Sequence, residues 1–190
     1  NEQEEAQYVV SEVDRLTGQK LFKLGDIAVM YRTNAQSRAV EEAFIRYGMP
    51  YKLVGGTRFY ERREVKDIIA YLRLIHNPYD SVSLGRVINV PPRGIGSRTT
   101  DQLEQMARER SVPVYAVLQM VSDDKSEQSL NSRTARALTS FLELLNEMIK
   151  SSQEMNVVEL FDTLLNHIGY KDYLYESPDG EDRWDNIMEL

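Results

Sequence analysis

The run Pro91-Pro92-Arg93-Gly94-Ile95-Gly96-Ser97-Arg98-Thr99-Thr100-Asp101-Gln102 constrains this chain more than any other stretch. The paired prolines stop whatever precedes them, since neither donates a backbone N–H and the residue before a proline avoids helical angles. Gly94 and Gly96 permit a sharp turn and carry no Cβ to hold a bulky ligand away. Ile95, between them, is placed as an apolar plug seating the turn on a core. Ser97, Thr99 or Thr100 offers a cap for a new helix, and Thr99 to Gln102 has capping-box spacing. The expected product is a helix N-terminus with outward-facing amides and an arginine on each side, Arg93 and Arg98, which suits phosphate. The same Gly-x-Gly also serves as a plain tight connection between packed helices, so its company decides between the two readings.

That company is basic. Between Lys52 and Arg98 stand nine Lys or Arg against four acids, in a chain whose net charge is −7. A basic segment on an acidic body predicts a localised anion-facing surface. With helices on both sides, the turn looks like the helix-hairpin-helix elements that grip nucleic-acid backbones without reading sequence.

Hydrophobic periodicity divides the chain at Gly55-Gly56. Before the glycines, residues 1–17 read as an amphipathic helix on Ala6, Val9, Val10, Val13 and Leu16. The run from Asp26 to Tyr31 reads as a strand buried on both faces. A helix over 35–47 and a short strand over 51–54 follow, so strand, helix, strand predicts a βαβ unit with parallel strands. Two parallel strands cannot stand alone, which makes this front part a piece of a larger α/β sheet. After the glycines everything reads as helix: 63–76 (with Val65, Ile68, Ile69, Leu72 and Ile75 in register), 82–89, 99–110, 113–121, 133–153, 157–168 and 182–190. Residues 122–131 read as a surface loop. The expected fold class is a βαβ piece followed by a mainly α-helical subdomain, predominantly α overall.

Composition excludes several chemistries. There is no cysteine, hence no disulfide, thiolate nucleophile or cysteine metal site. The two histidines, His76 and His167, are far apart and argue against a zinc site. No apolar run approaches the roughly 20 residues of a membrane span, and no signal-peptide layout opens the sequence. A cytoplasmic setting is the expectation.

Tyr31-Arg32-Thr33-Asn34 falls where a parallel strand gives way to a helix, the place where open α/β sheets bind ligands. Arg32 is a fixed positive fork suited to phosphate, and Thr33 and Asn34 have donors for backbone oxygens. The same residues also suit a helix start, since Thr33 to Gln36 is a capping box and Asn34 a good N-cap.

Taken together, Tyr31 to Arg38, Gly48-Met49-Pro50-Tyr51, Gly55-Gly56-Thr57-Arg58-Phe59-Tyr60-Glu61-Arg62-Arg63-Glu64-Val65-Lys66-Asp67, Asn89 to Gly96 and Arg183 to Leu190 resemble the UvrD/PcrA-like superfamily 1 DNA helicases. The likeness runs in order along almost the whole chain and is nearest to the family's bacterial PcrA branch. It implies that residues 1–56 are part of a second RecA-like motor domain, 57–185 a helical subdomain inserted into it, and 186–190 the start of the return segment. It implies single-stranded DNA contacts at Arg32, Thr33 and Asn34, and duplex contacts at Arg93, Gly94, Ile95, Gly96, Ser97, Arg98 and Thr99. Gly55 and Gly56 are expected to form a hinge.

The resemblance further implies an ATP-dependent 3′→5′ helicase as the parent, with ATP and Mg2+ as its cofactors. Its partners would be single- and double-stranded DNA, the remainder of the helicase chain, and repair or replication proteins. The sequence itself lacks a G-x-x-x-x-G-K-[ST] phosphate loop. No catalytic or metal-binding residue is therefore expected here, and the 190 residues alone are expected neither to hydrolyse ATP nor to unwind DNA. The motor of a helicase–nuclease shares the motif order, and a non-catalytic protein-interaction module is compatible with the acidic, amphipathic helices.

Overall fold

A computed structural model describes residues 2–32, 36–54, 56, 58–123 and 132–190. Among them are ten α-helices and no strand. The chain forms two compact units, Asn1–Lys66 with Pro178–Leu190, and Asp67–Ser177. These units part after Lys66 and before Pro178. The cause is that Phe59, Arg62 and Glu64, beyond the glycines, are buried. Gly56 is exposed inside the first unit, and Gly55 lies outside the described residues.

In the first unit, α1 (Glu2–Gly18) and α2 (Ser37–Arg46) pack face to face. Ala6, Val10 and Val13 of α1 meet Ala43 and Phe44 of α2, with Ile27, Val29, Met49 and Tyr51 closing the sides. The expected strands are not formed. Ile27 and Val29 are half-buried while Ala28 and Met30 are exposed, so the run alternates instead of being covered on both faces. A strand also needs a hydrogen-bonded neighbour, and none pairs with residues 27–31 or 51–54 among the described residues. The βαβ unit of the sequence reading is thereby corrected to an extended segment beside two helices.

The first unit is closed by α10 (Gly180–Met188) through a buried polar knot. Ser37 Oγ donates to Glu41 Oε1 at 2.9 Å, and Arg62 Nη2 donates to Ser37 Oγ at 2.8 Å. Arg62 Nη1 donates to Asn186 Oδ1, whose own amide donates to Glu64 Oε1 at 2.8 Å. Arg183 meets the other Glu64 oxygen at 3.4 Å. Two arginines thus face two glutamates, and buried charges are kept only when matched in this way.

The chain enters the second unit along α3 (Arg63–His76). Its buried stripe is Val65, Ile68, Tyr71, Leu74 and Ile75, so Tyr71 and Leu74 take the inward places that the sequence reading gave to Ile69 and Leu72. The rest is α4 (Ser81–Val87), α5 (Ser97–Arg110), α6 (Val114–Asp123), α7 (Ser132–Ser151), α8 (Val157–His167) and α9 (Tyr170–Tyr175). The short α9 was not expected. It starts from Gly169, at φ +61°, a conformation that only glycine takes without strain. The core gathers Ile68, Tyr71, Leu84, Leu118, Phe141 and Leu164. Within it, Asp67 receives Arg86 at 2.8 Å and the Tyr170 hydroxyl at 3.1 Å.

Candidate nucleic-acid interface

The proline–glycine run joins α4 to α5 and is tied down from one side only. Ile95 is 1% exposed, as a plug should be, whereas Gly94, Gly96, Ser97 and Arg98 on either side of it are exposed. Helix α5 begins at Ser97, with Gly96 as N-cap and no side-chain cap bond. The expected caps from Ser97, Thr99 or Thr100, and the Thr99–Gln102 box, are therefore not used. Instead the Gly96 carbonyl accepts from Thr99 N at 2.9 Å and Thr100 N at 3.2 Å, and Thr100 Oγ1 donates back to Ser97 O at 2.7 Å. The amides of Gly94, Gly96, Ser97 and Arg98 have no acceptor among the described residues.

One side chain sets the loop's curvature. Asn89 Oδ1 accepts from Arg93 N at 2.7 Å and from Ile95 N at 3.1 Å. Two alternate amides of the run are thus drawn inward. Gly94, between them, sits at φ +78°, where a side chain would be strained.

The two flanking arginines have separate fates. Arg98 is exposed, and its guanidinium has no partner among the described residues. Arg93, expected to face phosphate, is turned inward. Its Nη1 points at the carbonyls of Val87, Ile88, Val90 and Pro91 at 3.1–3.4 Å. Its Nη2 donates to the Tyr71 hydroxyl at 2.7 Å, and its plane lies over the Phe141 ring at 5.2 Å. Tyr71 in turn donates to the Val90 carbonyl. Burial pushes the Tyr71 phenol up to about 12, with Arg93 beside it pulling the other way. The physical reason is local: several carbonyls converge at the bend between α4 and Gly94, and the guanidinium places N–H donors among them.

The basic stretch is therefore less basic at its surface than its composition indicates. Arg62 is buried in the polar knot, Arg86 is paired with Asp67, and Arg93 is consumed by the loop. Arg98 remains as the outward cation beside the free amides.

At the other candidate site Arg32 is exposed, and its amide donates to Gln36 Oε1 at 2.9 Å. Thr33 and Asn34 lie outside the described residues, and with them the expected Asn34 cap. Helix α2 starts at Ser37 with Gln36 as N-cap. Sequence reasoning missed Tyr71 and Asn89. The one signal for Asn89 was a short amide acceptor just ahead of a turn whose amides needed one.

Among the described residues, no group of three or more His, Asp or Glu is placed to hold a metal ion, and the sequence carries no phosphate loop. No helix among them is long and apolar enough to cross a membrane.

Comparison with known proteins agrees with the motifs. The model of the UvrD-like helicase C-terminal domain matches residues 1–190. The whole chain aligns at 42% identity with DNA helicase II of Haemophilus influenzae, covering 26% of that protein. It aligns at 41% with ATP-dependent DNA helicase UvrD1 of Mycobacterium bovis and at 36% with ATP-dependent DNA helicase PcrA of Bacillus subtilis, covering 25% of each. These identities do not single out the PcrA branch. The chain spans about a quarter of the length of the curated relatives it matches. With matched motifs, a family model across its full length and relatives that are each named a DNA helicase, the chain belongs to the UvrD-like helicase C-terminal domain family.

Proposed function

We propose that this chain supplies the DNA-gripping part of an ATP-dependent 3′→5′ DNA helicase. In this reading the α4–α5 turn holds the backbone of duplex DNA through the amides of Gly94, Gly96, Ser97 and Arg98, the Arg98 guanidinium and the Ser97 and Thr99 hydroxyls. Ile95 seats the turn, and Arg32, Thr33 and Asn34 contact the single strand. ATP and Mg2+ are bound elsewhere in the parent protein, and the glycine pair Gly55-Gly56 serves as a hinge. Repair or replication proteins are the remaining partners, in a cytoplasmic setting.

The observation that carries the reading is a set of exposed amides at the start of a 14-residue helix, unpartnered among the described residues, with the exposed Arg98 beside them. Such a helix start favours an anion through both its donors and its dipole. Nothing in the set is aimed at base edges, so binding follows backbone shape and charge. The test is Arg98→Gln, read by fluorescence anisotropy on a labelled DNA hairpin across a salt series. The slope of log affinity on log salt should fall by roughly 0.9, the loss of one phosphate contact. An unchanged slope removes Arg98 from the interface.

A further inference from the structure

We infer that Arg93, Tyr71 and Asn89 are positioning residues: a latch that holds the glycine turn in its DNA-gripping shape without touching DNA. This rests on the duplex-binding reading above and changes the role of its most conspicuous arginine. The sequence makes Arg93 the twin of Arg98, but the two are used oppositely. Arg93 faces four backbone carbonyls, the Tyr71 hydroxyl and the Phe141 ring. A guanidinium so engaged has little left to offer a phosphate.

The three side chains fix different parts of one loop. Arg93 and Tyr71 gather the carbonyls of residues 87–91 from inside. Asn89 draws in the amides of Arg93 and Ile95, while the alternate amides of Gly94 and Gly96 have no acceptor among the described residues. The amides left without an acceptor there thus alternate with those that Asn89 holds. Holding donors in place before the ligand arrives lowers the ordering cost of binding.

A phosphate ligand and a latch respond differently to substitution. Lysine keeps the charge of Arg93 but cannot span several carbonyls and a phenol at once. Tyr71→Phe keeps the ring and removes only the hydroxyl, so it leaves the core filled. The experiment measures hairpin affinity of the 190-residue chain against salt for Arg93→Lys, Tyr71→Phe and Arg98→Gln. Circular dichroism records whether each variant is folded.

The latch predicts that Arg93→Lys and Tyr71→Phe each weaken binding roughly tenfold, as for one lost hydrogen bond to a charged group, with the salt slope unchanged. Amide hydrogen exchange at Ile95 should quicken in both. If Arg93→Lys binds like the parent while Arg98→Gln loses slope, the interface is real and Arg93 is one of its phosphate ligands, which overturns the latch. If Arg98→Gln changes nothing, the duplex reading itself fails. Should Arg93→Lys not fold, Tyr71→Phe decides alone: parental affinity with parental Ile95 exchange overturns the latch.

Discussion

Arg62 donates to the side-chain oxygen of Asn186, joining positions 124 residues apart inside one compact unit. Asn186 passes the link on to Glu64, and Arg62 reaches Ser37 at the start of α2. The residues just past the glycine pair are thereby bound to the last helix and to α2. This is why the chain's first compact unit takes in residues from both ends.

Asn186→Leu removes the shared member of that knot and leaves Arg62 and Glu64 each short of a partner. The expected loss is about 2–3 kcal/mol from two buried polar groups, seen as an earlier urea transition. A loss below about 0.5 kcal/mol would equal an ordinary surface change and would show that the knot contributes nothing.

How far the sequence revealed this fold depends on whether a feature was local. The bounds of helix α3 were legible to the residue, because its periodicity starts after Arg62 and Asn77-Pro78 stops it. The buried Ile95 and the exposed glycines beside it were legible for the same reason. The strands were misread, because a continuous apolar run says nothing about whether a hydrogen-bonding neighbour is present. The inward turn of Arg93 was not legible, because counting charges does not reveal where a guanidinium turns. Its partners at Tyr71 and Phe141 are distant in sequence.

Tyr71 predicts alkaline sensitivity. Its phenol is raised from 10 to about 12, chiefly by burial. The neutral form is the one the fold favours, so this contribution is whole below pH 10 and is lost as pH rises through about 12. A shift of that size corresponds to about 2–3 kcal/mol. Chemical denaturation at pH 9 and pH 12 should show Tyr71→Phe losing less stability than the parent over that interval. Equal losses would show that Tyr71 does not carry the effect.

Asp80 caps α4 from its N-terminus, accepting from Val82 N and Ser83 N at 3.1 Å and from Ser83 Oγ at 2.6 Å. The Ser83 hydroxyl bond, with these amides, holds its carboxyl below the usual range. Stability from this cap is present above the unfolded carboxylate pKa and is lost as pH falls through the depressed value. Asp80→Ala should cost about 1 kcal/mol at neutral pH, while Asp80→Asn keeps most of the cap and flattens the acid limb. A thermal midpoint unmoved by Asp80→Ala contradicts this role.

Arg32 predicts a separate effect on single strands. Arg32→Ala should weaken oligonucleotide binding and lower the log–log salt slope by roughly 0.7, with hairpin duplex affinity unchanged. A slope equal to the parent's would make Arg32 a structural residue only.

Gly96 gives the most direct test of the interface. Its backbone is extended, at φ −81° and ψ 168°, and a Cβ built there meets nothing within 4 Å. Valine is therefore compatible with the free protein, and a turn that merely connects two helices would tolerate it. If DNA backbone lies against these amides, the branched side chain stands in its approach. Titration of labelled hairpin duplex into Gly96→Val should show affinity reduced by roughly tenfold or more, an equilibrium change of about 1.4 kcal/mol, with the thermal midpoint nearly unchanged. Parental duplex affinity in a folded Gly96→Val chain would contradict the account.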